Sequence, residues 1–240
     1  MANTFNEKLV EAFEMNGLGE LLNPEAAAKL EKLAKLLVDT NKITNLTAIT
    51  DDDGIILKHF VDCASVVPLI PKGAKVIDVG CGGGFPSLPI GILRDDISVK
   101  SLDSTGKKID FVKCAIGELD LTKSSAVCAR AEEFAADENE NFDCCVSRAV
   151  ARLNVLSELC LPLVRVGGLF VAMKADKGQD ELDESRLGIA KLGGVVENVV
   201  KCRLAYNNDE ISRELIVIKK IKETPKEYPR KYSQILKKPL

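Results

Sequence analysis

The segment VIDVGCGGGFPSLPI, residues 76–90, runs an apolar, β-branched stretch holding Asp78 into a turn with Gly80, Gly82, Gly83 and Gly84, then into Phe85-Pro86 and a further apolar run. A strand that enters a helix through backbone this bare is built for a ligand, because glycine lets another molecule approach the main chain closely and takes positive φ at little steric cost. Spacing then separates the ligand classes. A P-loop needs Gly-Lys followed by Ser or Thr, and Gly106-Lys107 is followed by Lys108. A dinucleotide fingerprint needs G-x-G-x-x-G; counted from Gly80 the third position is Phe85, and counted from Gly82 it is Ser87. Both frames fail. The pattern present is D-x-G-x-G-x-G, at Asp78, Gly80, Gly82 and Gly84.

That pattern resembles the first motif of S-adenosylmethionine (SAM)-dependent methyltransferases of the Rossmann-like kind. SAM carries no phosphate, so the turn need not cradle an anion, and its glycines serve close approach to the amino-acid and ribose parts. Asp78 is placed to accept a hydrogen bond from the ligand's ammonium. Asp103 ends SVKSLD about twenty residues beyond the turn, where a doubly wound fold puts the carboxylate that accepts from ribose hydroxyls. A third strand leads to Ala131-Glu132, where methyltransferases of this kind contact adenine; Glu132 and Glu133 are equally placed to complement a helix dipole.

Outward from the turn, the chain changes character once. Residues 1–70 read as a helical extension: FNEKLVEAFEMNGL, then Asn23-Pro24 as a helix start, then apolar positions 27, 30, 33, 34 and 37 on one stripe, then a helix over 54–67. From residue 71 to 222 short apolar strands alternate with helix-length segments: KVIDVG, SVKSLDS, SAVCARA, FDCCVSRA and GGLFVAMKA. Such alternation predicts a parallel sheet covered on both faces. VVENVVKCRLA and RELIVIKKI, joined by YNNDEIS, read as an antiparallel closing pair. The expected fold is α/β: a seven-stranded, mostly parallel Rossmann-like methyltransferase sheet with an antiparallel closing strand and an N-terminal helical extension.

Composition narrows the class. The 240 residues are 46% hydrophobic, enough for a sizeable core, and no apolar run reaches the ~18 residues a membrane span needs. With no signal-peptide pattern in MANTFNEKLV, the expectation is a cytoplasmic monomer. Eight cysteines show no C-x-x-C and no paired metal spacing, so reduced core thiols and no metal are expected. Net charge is −3, yet residues 219–240 alone carry eight Lys/Arg against Glu223 and Glu227. This basic tail, of which 223–240 forms a separate segment, is either a solvated end or an arm that meets phosphates through Arg230 and Lys231, with Tyr228 and Tyr232 available for stacking.

The end of the fourth strand is where this fold places the reacting group. In place of an N-P-P-Y-like run or a Pro-Cys nucleophile, the chain has Ser147-Arg148-Ala149, and Cys144 and Cys145 fall inside the strand. Arg148 is therefore the catalytic candidate. The segments NLTAI (45–49), KHFVDC (58–63), DVGCGGGFPSLPI (78–90), LDSTGKK (102–108), RAEEF (130–134), SRAVARL (147–153), VAMK (171–174) and YPRKYSQILKKPL (228–240), in this order, resemble the GidB/RsmG family over essentially the whole chain. The resemblance implies SAM-dependent methylation of N7 of a guanine in 16S ribosomal RNA, naked or in the small subunit, with Gly80, Phe85, Ala131, Glu132 and Arg148 on the cofactor. Cys81 departs from the Ser or Thr usual in the family, and Ser87 from the usual Gly.

An N7 acceptor suits a chain with one histidine. Guanine N7 has a lone pair and no proton, so it attacks a sulfonium methyl without a general base, and positioning does most of the work. Lys58 and His59, beside Asp62, form a candidate RNA-facing cluster, although a lone helical histidine is as readily structural. Lys174, Arg148 and the tail are further candidates for phosphate contact or for reading the O6/N7 edge of a loop guanine. Two alternatives share the motif: a methyltransferase for a small molecule or protein, and a non-catalytic SAM- and RNA-binding assembly factor.

Overall fold

In the computed structural model, which describes residues 3–148, 151–175 and 178–240, the strands are β1 (Lys75–Val79), β2 (Ser98–Asp103), β3 (Ser124–Cys128), β4 (Phe142–Arg148), β5 (Val164–Lys174), β6 (Gly194–Tyr206) and β7 (Asp209–Lys220). They form one sheet in the order β3-β2-β1-β4-β5-β7-β6. β1 to β5 run parallel, and β7 runs antiparallel to both β5 and β6. The expected fold class is the observed one. Chain order reverses between β1 and β4, and in such a sheet ligands bind in the crevice beyond the carboxyl ends at that reversal. The glycine turn follows β1 there and Arg148 closes β4.

Both faces of the sheet are covered, which is why the strands read as near-continuous apolar runs. Val76 and Cys144 point into one core, Ile77 and Cys145 into the other. The first core includes the N-terminal helices α1 (Phe5–Met15) and α2 (Pro24–Asn41), through fully buried Leu9, Phe13, Leu30, Leu33 and Leu37. Each helix starts where its capping residue dictates: Thr4 and Glu7 form a reciprocal capping box, and the Asn23 side chain accepts from the Ala26 amide ahead of Pro24. Past the end of α1, the Asn16 amide pairs with Ala205 on β6, donating to its carbonyl (2.8 Å) and accepting from its N–H (2.9 Å).

The helix expected over 54–67 starts two residues earlier, because Asp51 caps it through the Gly54 amide. It runs as α3 (Asp52–Ile55), a π-helical turn (Ile56–Val61) and α4 (Asp62–Ala64). π turns are frequent at functional sites, and this one carries Lys58 and His59. The closing strands extend to a two-residue connection at Asn207-Asn208, with Asn207 at φ 52°, a conformation asparagine accepts in tight hairpins. The remaining helices are α5 (Ser87–Leu93), α6 (Gly106–Glu118), α7 (Ala131–Asp137), α8 (Leu153–Cys160), α9 (Gly178–Lys191) and α10 (Tyr232–Lys237).

The basic tail, expected as either a solvated end or an arm, is docked onto the second core through Ile235, Tyr228 and Tyr232. Lys220 is fully buried, its ammonium donating to Glu140 (2.9 Å) and to the carbonyls of Leu161 (2.8 Å) and Val164 (3.0 Å). Arg230, expected on RNA, instead forks onto Glu158 at 2.8 and 2.5 Å. The reason is local: Glu158 lies fully buried on α8, and a carboxylate removed from water requires a partner. Lys231 remains exposed. Among the described residues no helix is long and apolar enough to cross a membrane, and no group of three or more His, Cys, Asp or Glu could hold a metal.

Candidate functional site

The turn after β1 is pinned to β2. The amides of Gly80 and Cys81 both donate to the Leu102 carbonyl, at 2.7 and 3.0 Å. Asp103 completes the tie, accepting from the Gly82 amide at 2.9 Å and the Thr105 amide at 2.8 Å. Gly80, Gly82 and Gly84 all have positive φ, at 75°, 57° and 86°. Their surroundings differ. A Cβ on Gly82 would meet nothing within 4 Å, so this glycine borders open space. A Cβ on Gly84 would collide with the Leu88 side chain. Gly84, expected on the cofactor, is thus required by the packing of α5 under the turn.

Asp78 lies beneath the turn, fully buried, with one carboxylate oxygen accepting from the Ser87 amide at 3.0 Å. Its other oxygen has no partner. Burial raises its pKa to about 7, against the opposing pull of the Ser87 amide. A buried carboxylate with a free oxygen beneath an open glycine turn fits a ligand that brings a cationic donor, directly or through water.

Beyond the turn two cavities open along the carboxyl edge of the sheet. The first, about 170 Å³, is lined by Gly80, Asp103, Arg130, Ala131, Glu132 and Tyr232, together with Leu159 and neighbouring backbone. It brings together Gly80, Asp103, Ala131 and Glu132 from the sequence expectation. The second, about 550 Å³, lies over β4, β5 and β7 and is lined by Lys58, His59, Arg148, Met173, Lys174 and Arg213, among others. Phe85 and Arg148 belong to this side: the Phe85 ring is buried under His59, and the Arg148 guanidinium lies 5.8 Å from the Phe85 ring centre.

The floor of the second cavity is one charged network. Arg148 donates to Asp62 (2.9 Å), to the Lys58 carbonyl (2.9 Å) and to His59 Nδ1 (3.4 Å). Arg213 donates to the same carboxylate at 2.8 and 3.2 Å. Burial works against the Arg148 charge, but the groups around it, Cys63, Asp62 and Asp78, together outweigh burial and hold its pKa above the usual value. His59 is driven the other way, to about 3, by burial and then by the Arg148 charge. A guanidinium only donates, so Nδ1 accepts, and the imidazole proton sits on Nε2, facing Thr47 Oγ1 at 2.9 Å. His59 is a neutral, fixed wall.

The lysines of the cavity are tethered. Lys174 is buried, donating to the Ala151 carbonyl at 2.5 Å and pairing with Glu181 at 2.8 Å. Lys58 pairs with Asp209 at 2.8 Å on the rim. Cys144 and Cys145 are fully buried, with burial pushing the Cys144 thiol up to about 12 and Cys145 also far above its normal value. Neither can serve as a thiolate nucleophile near neutral pH. Ala149 and Val150 of the SRAVARL stretch lie outside the described residues.

Sequence reasoning missed Arg213 as a wall of the larger cavity and Thr47 as the partner of His59, and it named Tyr232 for stacking in the tail without placing it in the smaller cavity. Thr47 falls in the quoted NLTAI stretch, but Arg213 has no local signal, since only strand pairing brings β7 across to Asp62. Against this geometry, the profile of the family described as rRNA small subunit methyltransferase G (GidB) matches residues 26–215. The chain belongs to this family. Relatives named ribosomal RNA small subunit methyltransferase G include one from Staphylococcus carnosus, 43% identical with 98% of each chain covered. Another, from Lactobacillus johnsonii, is 45% identical over 95% of this chain and 98% of its own. Membership thus extends over the tail as well as the sheet. Among solved structures, M. jannaschii TYW2 in complex with AdoMet superposes with a TM-score of 0.57 over 72% of this chain and 80% of that one; at 12% identity this likeness bears on the fold alone.

Proposed function

We propose that this protein transfers the methyl group of SAM to N7 of a guanine in 16S ribosomal RNA, acting in the cytoplasm. The observation that carries the reading is the adjacency of two cavities along one sheet edge, a small one backed by Asp103 and a larger basic one floored by Arg148. Family membership supports rRNA as the methyl acceptor. The residues fit SAM: Gly82 leaves open space beside the turn, Asp78 keeps a free buried oxygen, and Asp103 and Glu132 offer carboxylates to ribose and adenine. Bound there, SAM supplies an electrophilic methyl.

The chain's own residues then act by placement. Arg148, held by Asp62 and Lys58, presents a fixed guanidinium at the floor of the larger cavity, suited to the O6 side of a guanine or to a phosphate. His59 stays neutral and shapes the wall without moving a proton. No base is called for, because N7 carries a free lone pair. Lys58 and Lys174 reach RNA phosphates only by exchanging their present carboxylate partners, which makes phosphate binding competitive and salt-sensitive.

The test is methyl transfer from labelled SAM to small-subunit RNA carrying guanine or 7-deazaguanine at the target. Transfer to guanine alone is expected, with a turnover nearly flat from neutral to mildly alkaline pH when chemistry limits the rate. A methyl that still reaches the 7-deaza RNA, or label found only in protein or small molecules, overturns the reading.

A further inference from the structure

One lining residue of the smaller cavity lies more than a hundred positions away in sequence from the glycine turn. It is Tyr232, first residue of α10. Its ring is half-buried, and the Arg130 guanidinium stands 4.9 Å from the ring centre. Arg130 lines the same cavity, just beyond β3 at one edge of the sheet, whereas the tail leaves the sheet from β7 near the other edge.

Several contacts fix that ring. Two residues earlier, Arg230 donates through its amide, Nε and Nη2 to Glu158, at 2.9, 2.8 and 2.5 Å. Glu158 precedes Leu159, which itself lines the cavity. Three residues later, Ile235 is fully buried in the second core. A half-exposed aromatic ring between two such anchors, with a cation over it, presents a rigid π surface to the cavity at little further entropic cost.

We propose that Tyr232 is a cofactor-binding residue, its ring packing against the adenine of SAM, and that the docked segment from Tyr228 to Lys237 closes this side of the pocket. The proposal rests on the reading that this cavity takes SAM. It gives the buried Glu158–Arg230 pair a role as a positioning device: the pair acts on the ligand through the ring it holds.

The chain has three tyrosines and no tryptophan, so tyrosine emission is not masked and comparison with Tyr232→Phe isolates the share of this ring. The full-length protein and its Tyr232→Leu and Tyr232→Phe variants are titrated with SAM and with methylthioadenosine, which keeps the adenosine and lacks the amino-acid end. Stacking on an aromatic ring is worth enough that Tyr232→Leu should weaken both ligands by about tenfold and by equal factors. Tyr232→Phe should keep affinity within about twofold, since the π face persists. It should also lose the drop in tyrosine emission that either ligand causes in the unsubstituted protein.

If the leucine variant does not fold, the emission change in the phenylalanine variant decides alone. Unchanged affinity in Tyr232→Leu, a loss confined to SAM, or an emission drop that survives in Tyr232→Phe overturns the proposal. An unsubstituted protein that binds neither ligand overturns the SAM reading itself, and this proposal with it.

Discussion

His59 lies flat on Phe85, the ring centres 4.4 Å apart and the planes 19° from parallel. The histidine is thereby clamped between an aromatic face, the Thr47 hydroxyl and the Arg148 guanidinium, on a π-helical turn that aims it at the larger cavity.

The clamp has a pH signature. The folded protein holds His59 neutral down to about pH 3, whereas an unfolded chain protonates it near pH 6.5. Below that value the unfolded state binds a proton the folded state refuses. Stability present at neutral pH is therefore lost as pH falls from 6.5 towards 3, by up to about 1.4 kcal/mol per pH unit. Urea unfolding at pH 7.5 and pH 5 should show a smaller loss for His59→Gln than for the unsubstituted protein. Equal losses would mean the imidazole is protonated in the fold.

Arg148 and Asp62 should separate by phenotype. Arg148→Ala leaves Asp62 paired with Arg213, so the protein should stay folded while turnover with RNA falls by more than about tenfold, as expected when a positioning contact is removed. Asp62→Asn leaves two guanidinium groups facing each other without their carboxylate and should cost about 3–5 kcal/mol. Denaturation curves and methyl-transfer rates measured on the same samples check both.

Two glycines of one turn should fail differently. Gly82→Val places its side chain in the open space beside the turn; it should abolish SAM binding by calorimetry while the protein stays folded, at about 1–2 kcal/mol of backbone strain. Gly84→Ala adds a collision with Leu88 to a positive φ, so its main effect should be a lower midpoint of unfolding.

Cys144→Ala and Cys145→Ala each remove a buried sulfur and should cost about 1 kcal/mol of stability, a modest packing loss. Turnover should stay near normal. A covalent RNA adduct trapped on either cysteine would refute the attack by a free ring nitrogen.

The parts of the molecule legible in sequence were those fixed by local pattern. The alternation of apolar strands and helices, the glycine spacing and the Asn23-Pro24 start each follow from residues close together in the chain. At Gly84 the sequence could not show the packing requirement, because a positive φ needed for packing and one needed for ligand approach look alike in sequence. The pairing of Arg230 was not legible because its partner Glu158 lies 72 residues earlier, in a helix whose burial no composition reveals. A charge count describes the tail as an arm; only the position of buried carboxylates describes it as a strap.

Long-range ties also set when the site can exist. Asn16 is bound to Ala205 across 189 residues, and Asp62 to Arg213 across 151. Loop closure over such distances must precede the contacts that reward it, which places this chain among slowly folding topologies. During synthesis the N-terminal helices leave the ribosome long before β6 and β7, and until then the first core lacks Leu204, Tyr206 and Leu215. The floor of the larger cavity closes only with Arg213, and the wall of the smaller one only with Tyr232. A growing chain therefore holds every residue of the glycine turn while both cavities are still open, and neither is walled until β7 and α10 have been made.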